Sequence, residues 1–352
     1  LLDSDYFSDI DLKFNIGAVA YALVGYGLGI FWTIQTSIWL NLLGMLLTVH
    51  SLVWSAYLIH DLIHGNLFRK SSWNETIAQV LLFLTGSCYS RYRSLASHHL
   101  AHHKNRSDIV SFSIIDFLDH LPKPILNLII ILEWLYFPIV ELGLRWMSAL
   151  SPFLGESRQS ERLKNSLLLL LRGGLYGALV YVSAKAAVLY FIAYISFLNV
   201  LRFIDCFQHT YEVFCLDQDI PPFDLAYEET NTFSNLISIR FPWLNLLLLN
   251  FGYHNAHHRV MRCPWYLLPQ LDSELYPRNY PQYVTLPQLV KNFHQFRVVR
   301  LFQGQGLVVA TDTGLDLEQF VGAVGVSFLV SREPMEWLKL PESEQTYPAT
   351  TV

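Results

Sequence analysis

Between Asn15 and His60 the chain contains no Asp, Glu, Lys or Arg. A single apolar helix crosses a bilayer in about 20 residues, so this run is long enough to cross twice. Gln35, Thr36 and Ser37 form the polar trio at which the chain can turn. The second crossing then returns His60 and His64 to the side from which the chain came. A second apolar block runs from about 165 to 201 and is interrupted only by Arg172 and Lys185. Lys185 falls where a turn between two helices belongs. Arg172 either snorkels to the surface or lines a protein interior. The pattern predicts an all-α integral membrane protein with two transmembrane helical hairpins. Its four spans are expected at about 15–35, 38–60, 165–184 and 186–202.

The composition agrees with that class. The 352 residues are 52% hydrophobic and 15% charged, against about 25% charged in an average soluble domain. A net charge of −5 is too mild to argue for a nucleic-acid partner. Cys88, Cys206, Cys215 and Cys263 show no CxxC spacing, so neither a disulfide framework nor a zinc ribbon follows. A reducing, cytoplasm-facing compartment is expected, and no stretch reads as a cleaved signal peptide.

Basic residues set the orientation. Arg69, Lys70, Arg91, Arg93, Lys104 and Arg106 follow the first hairpin. Arg158, Arg162 and Lys164 precede the second, and Arg202 follows it. That side is therefore expected to be cytoplasmic, in an inner or equivalent membrane crossed several times. Three more apolar stretches, Thr76–Cys88, Pro124–Trp146 and Leu236–Phe251, are predicted to be helices lying in the interface. The middle one carries Glu133, Glu141 and Arg145 and is long enough to enter the membrane. Residues 1–280 are read as the membrane domain, and 281–352 as a more polar cytosolic cap and tail.

Ten of the 13 histidines gather in four places. These are His60 and His64; His98, His99, His102 and His103; His209; and His254, His257 and His258. In a helix, positions i, i+3 and i+4 share one face. HxxxH and two HxxHH boxes can thus each aim two or three imidazoles at one point. Imidazole binds mid-series metals in its neutral form. A structural zinc ion takes four ligands and a catalytic one three, so eight or nine histidines suit two ions. Iron is the imidazole-compatible metal whose oxygen chemistry attacks C–H bonds. A zinc peptidase would place Glu after the first histidine of HxxxH, where this chain has Asp61. His98 is four residues before His102 and stays an alternative to His99. His50, His120 and His294 read as ordinary hydrogen-bonded or solvated residues.

Asp205 lies four residues before His209, so it is placed to orient that imidazole or to act on a bound water. The plain alternative is an ion pair with Arg202. Asp108 is a candidate partner for a ligand imidazole. Trp54, Tyr57, Phe68, Phe207 and Tyr253 are candidates for a tunnel wall, or else core. Arg91, Arg93, Lys104 and Arg259 are read first as solvated residues that set the topology, and second as partners for an acyl carboxylate or headgroup.

The three boxes, in this order beside two apolar hairpins, resemble the membrane fatty acid desaturase and hydroxylase superfamily over about residues 40–270. By that resemblance His60 and His64 form the first ligand box, His99, His102 and His103 the second, and His254, His257 and His258 the third. His209 matches the extra histidine before the third box. The resemblance implies a four-helix membrane stem and a cytosolic cap holding two iron ions. It also implies O2 as co-substrate and electrons from an external donor, a ferredoxin or b-type cytochrome served by an NAD(P)H reductase. In stearoyl-CoA-type desaturases the first box has a longer spacing, and Asn stands at the place of Asp205. The short box is similar to that of acyl-lipid desaturases, carotenoid ketolases and hydroxylases, alkane hydroxylases, and the decarboxylases that form terminal alkenes. The stretch from His257 to Pro269 is similar to the ketolase and hydroxylase ending.

The expected activity is O2-dependent oxidation of an unactivated C–H bond in a fatty acid or fatty-acyl chain, with desaturation first and membrane lipid as a further partner. Oxidative decarboxylation of free fatty acids to 1-alkenes is the alternative. Hydroxylation or ketolation of alkyl or carotenoid substrates comes third. A non-enzymatic metal-binding membrane protein or transporter is the reading from another class. Against it, the histidines fall at helix ends rather than inside spans.

Overall fold

The computed structural model describes residues 11–330 apart from 106, 216, 217, 312, 313 and 326. Arg106 and the expected tail beyond residue 330 lie outside the described residues. Among the described residues four helices are long and apolar enough to cross a membrane. They are α1 (Leu12–Ile34), α2 (Ile38–His64), α8 (Arg162–Val182, led by the 3-10 turn Gln159–Glu161) and α9 (Ala184–Asp205).

Between α1 and α2 the chain turns at Gln35, Thr36 and Ser37. Lipid supplies little drive for helices to associate, so close packing depends on small residues that let backbones approach. Ala18, Ala22, Gly25 and Gly29 form the buried stripe of α1. Gly44, Thr48, Ser51 and Ser55 answer on α2. A Cβ at Gly29 would sit 2.4 Å from Thr48 Oγ1, and one at Gly44 2.6 Å from the Gly29 carbonyl oxygen. Tyr21 meets His50 near one end of this pair, and Gly29 meets Gly44 near the other, so the helices run antiparallel.

Helix α9 begins at Ser183, whose side chain caps it through the amide of Ala186. Lys185 Nζ donates to the Gln35 carbonyl at 2.6 Å and to Asn41 Oδ1 at 2.7 Å. These bonds tie the two turns together. Helix α2 stops at Gly65, whose φ of 75° closes the αL cap at little steric cost. That stop leaves His60 and His64 in the last two turns.

Shorter elements surround the histidine end. They are α3 (Ser71–Thr85), α4 (Tyr92–Lys104), α5 (Ile114–Asp119), α6 (Lys123–Trp134), α7 (Ile139–Leu154), α10 (Leu225–Asn231), α11 (His254–Arg259), α12 (Leu268–Leu275) and α13 (Leu286–Phe296). The chain is mostly rather than wholly helical, because three two-stranded sheets interrupt it among the described residues. Strand β1 (Ser107–Val110) pairs parallel with β2 (Glu212–Cys215), starting with Ser107 beside Glu212. Strand β3 (Ser234–Leu236) pairs parallel with β4 (Tyr283–Thr285). Strands β5 (Leu307–Thr311) and β6 (Gly314–Val321) form an antiparallel pair. The first pair fastens the segment after the second box to the segment after His209.

Two of the predicted interfacial helices differ from expectation. Pro124–Trp146 is two helices, α6 and α7, bent by 116°. Tyr136 takes a φ of 61° and Pro138 leads into α7, so the chain cannot continue as one helix. The bend brings Glu133 and Glu141 onto Arg202 and Arg300. Leu236–Phe251 is no α-helix but the end of β3 and a 3-10 helix over Pro242–Leu248. Asn245 competes for the backbone there, donating to the carbonyls of Ser238 and Pro242.

The core joins the helices to the C-terminal part. Tyr57, Leu58 and Phe197 share one cluster with Val284, Phe293, Phe320 and Phe328.

Candidate metal centre

Helix α2 delivers His60 and His64, and α4 delivers His99, His102 and His103. The short helix α11 delivers His254, His257 and His258, while His209 follows α9. All nine are buried, and they come together in two adjoining groups. Ligand atoms of His60, His64, His99, His103 and His257 lie within 4.8 Å of one another, as do those of His102, His209 and His258. His254 joins the second group, its Nε2 2.8 Å from that of His209. The groups touch where the rings of His103 and His258 stand 4.2 Å apart. The metal-capable set contains His99 and not the half-buried His98.

Hydrogen bonding alone does not account for how these nitrogens face one another. His99 Nε2 lies 2.9 Å from His64 Nε2 and 3.1 Å from His103 Nε2. His103 Nε2 also lies 3.3 Å from His257 Nε2. His209 Nε2 lies between His254 at 2.8 Å and His102 at 3.1 Å. A ring nitrogen carries either one proton or one lone pair, so it cannot serve two such partners. A shared cation can. With metal–imidazole bonds of about 2.1 Å, neighbouring ligands at a right angle place their nitrogens about 3.0 Å apart. The buried Nε2 atoms of His60 and His258 have no hydrogen-bond partner, which also suits a metal ligand.

Burial first, and neighbouring imidazoles second, push His103, His209, His254 and His258 well below the ordinary histidine value. The same causes bring His257 down to about 3. Neutral imidazole, the form that binds a metal, is the form this environment keeps.

Behind the imidazoles sits a supporting layer. His258 Nδ1 lies 2.8 Å from Glu228 Oε1, and burial, with Glu229 beside it, pushes Glu228 up to about 7. His102 Nδ1 lies 3.1 Å from Asp108 Oδ1 and 3.3 Å from the Ser107 carbonyl. His60 Nδ1 lies 3.3 Å from Asp61, and His209 Nδ1 lies 3.4 Å from the Thr232 hydroxyl. Such partners fix the tautomer and direction of a ligand ring. Phe251 and Phe328 set their rings 4.8 and 5.5 Å from His60, on the apolar side of the cluster.

Among the sequence-predicted residues, Asp108 reaches a histidine of the cluster. Asp205 is buried beside Tyr57 and Arg145, and its oxygens make no hydrogen bond to His209. The ion pair with Arg202 is not formed either, because Arg202 goes to Glu133 and Glu141. Arg91, Arg93 and Arg259 are paired with Glu161, Glu75 and Glu229. Lys104 is exposed at the end of α4. His50, His120 and His294 make hydrogen bonds away from the cluster.

None of Trp54, Tyr57, Phe68, Phe207 and Tyr253 lines either larger cavity. Tyr57 stacks on Phe251 and Phe207 packs on Phe320. A cavity of about 210 Å³ opens beside His103 and His258 and is bounded by Glu228, Thr232, Asn255 and Arg259. Glu228, Thr232 and Phe328 were not singled out in the sequence. They lie far from the boxes along the chain, and no spacing marks them.

Fold and site together define a mostly helical protein with membrane-length helices and a buried cluster of imidazoles that could hold metal ions. Residues 37–289 match the fatty acid desaturase family, and with more than half of its length covered the chain belongs to that family. No curated protein matches the chain. Family and histidine cluster together support an oxidoreductase.

Proposed function

We propose that this protein is an integral membrane enzyme that desaturates a fatty-acyl chain at the expense of O2. The observation that carries the reading is the nine-histidine cluster, with nitrogens spaced as ligands of two adjoining cations. When bound, two iron ions supply O2 reduction and hydrogen removal from an unactivated C–H bond. The net change converts –CH2–CH2–, O2, two electrons and two protons into –CH=CH– and two waters. The electrons come from a separate ferredoxin or b-type cytochrome and its reductase.

The chain's own residues do the rest. His60, His64, His99, His103 and His257 hold one ion in this reading, and His102, His209, His254 and His258 the other. Glu228 and Asp108 keep His258 and His102 pointed inward. Phe251 and Phe328 keep water from the cluster, and the cavity at His103 and His258 gives access from outside. Asp205 lies buried beside Tyr57 and Arg145 and makes no hydrogen bond to His209. The basic residues around the cluster support a cytoplasmic face for it.

The test is product analysis. The purified full chain, loaded with iron, is given O2, a reductase–ferredoxin pair and a set of fatty acids and acyl lipids. Gas chromatography then follows both headspace and lipid extract. An unsaturated product of unchanged length is expected. A volatile alkene one carbon shorter would replace this reading by decarboxylation, and a hydroxylated product by hydroxylation. A metal content below about one iron per chain would remove the two-ion site itself.

A further inference from the structure

The largest of the three cavities described lies away from the histidines. It has a volume of about 700 Å³ and runs among α1, α3, α7, α8 and α9. That size falls within the range of about 300–1,000 Å³ common for small-ligand sites. Its wall is mostly apolar. Two guanidinium groups, Arg145 and Arg172, line it with no Asp or Glu, and none of the nine cluster histidines reaches it.

The two arginines differ. Arg145 donates to the Thr85 carbonyl at 3.1 Å and to Ser87 Oγ at 2.5 Å. It also borders a smaller cavity together with Asp205, Glu141 and Arg202, so carboxylates stand near it. Arg172 is held by the Phe83 carbonyl and lies 5.4 Å from the Phe83 ring. Tyr190, Tyr194 and Tyr89 surround it. Among the described residues no carboxylate pairs with it.

Arg172 stands seven residues past the start of the apolar stretch at 165, about 10 Å along the axis, which is about a third of the way into a 30 Å hydrocarbon core. A cation at that depth is costly, and such residues mark ligand or ion pathways more often than simple packing. A planar guanidinium takes a carboxylate in two-pronged fashion. The α8 side of the wall includes Gly173 and Ala178, whose small side chains leave room for an acyl chain. A two-chain phospholipid would have to sink its glycerol and phosphate to the same depth, so a single-chain lipid fits better.

We propose that this intramembrane cleft binds a long-chain fatty carboxylate, with its head on Arg172 and its chain along the apolar wall of α1, α8 and α9. Occupancy needs no turnover, so the site stands or falls separately from the desaturation reading.

The experiment uses the full chain in nanodiscs of phosphatidylcholine and a long-chain fatty acid bearing a mid-chain diazirine. After illumination, mass spectrometry locates the label. Label is expected on lining residues such as Tyr176, Tyr190 or Phe191. The unlabelled acid should compete at least about tenfold better than the alcohol of equal length. Arg172→Gln should erase that preference. Gly173→Leu should cut labelling by at least about tenfold while thermal unfolding stays unchanged, since a Cβ there meets nothing within 4 Å. Four results would overturn the proposal: label confined to other segments, equal competition by the alcohol, undiminished labelling of folded Gly173→Leu, or phosphatidylglycerol outcompeting the fatty acid.

Discussion

Removing Glu228 should weaken one metal position and spare the other. Glu228 Oε1 lies 2.8 Å from His258 Nδ1, and Glu228 is 7% exposed. Loss of such a supporting partner costs about 10–100-fold in metal affinity, or about 1.4–2.7 kcal/mol. Glu228→Ala should fall in the upper half of that range. It leaves a buried ring N–H without an acceptor, which by itself costs about 1–3 kcal/mol. Glu228→Gln keeps an acceptor oxygen in place and should fall near the lower end. Asp108→Ala should also be mild, because His102 Nδ1 still has the Ser107 carbonyl at 3.3 Å. The assay is anaerobic titration of metal-free protein with ferrous iron against a chelator of known affinity, alongside thermal unfolding. The group built on His60, His64, His99, His103 and His257 should fill as before. The reasoning fails if Glu228→Ala fills both positions normally, if Asp108→Ala is the weaker binder, or if both positions weaken equally.

Gly44→Ala should separate α1 from α2, because its Cβ would meet the Gly29 carbonyl oxygen at 2.6 Å and Trp32 Cβ at 2.8 Å. A loss of about 1–3 kcal/mol is expected as a lower melting temperature in detergent. Arg300→Met leaves Glu141 and Glu133 with one guanidinium instead of two and should cost about 3–5 kcal/mol, read by the same melt. Asp272 is raised to about 6 by burial, against the lowering effect of the Tyr283 hydroxyl that donates to it at 2.6 Å. The folded state therefore holds the proton more tightly than the unfolded one. Stability from this group is full below its ordinary value of 3.8 and is lost as pH rises towards about 6. Asp272→Asn should remove that slope, and unfolding at a series of pH values measures it.

How much of this was legible depends on whether the signal is local. The turn at Gln35–Ser37 could be read because a polar trio inside a charge-free run has one place to go. The boxes could be read because i, i+3 and i+4 fall on one helix face, and α4 and α11 carry them as helices. The break within α6–α7 has a local cause in Pro138, but the apolar run around it hides the cause. The bend persists because Glu133 and Glu141 must both reach Arg202 and Arg300, and those partners lie about 60 to 170 residues away in the sequence. Glu228 illustrates the limit better still. It sits 30 residues before His258, in a helix with no feature of its own. The parallel pairing of β1 with β2, the bridge between His209 and Thr232, and the bond from Asn255 Nδ2 to the Thr232 carbonyl bring that segment under the third box. Ligands that share a helix face announce themselves by spacing. The groups that aim them come from other segments, and tertiary pairing alone selects them. Those groups are therefore where related enzymes with identical boxes have room to differ in how tightly each metal position is held.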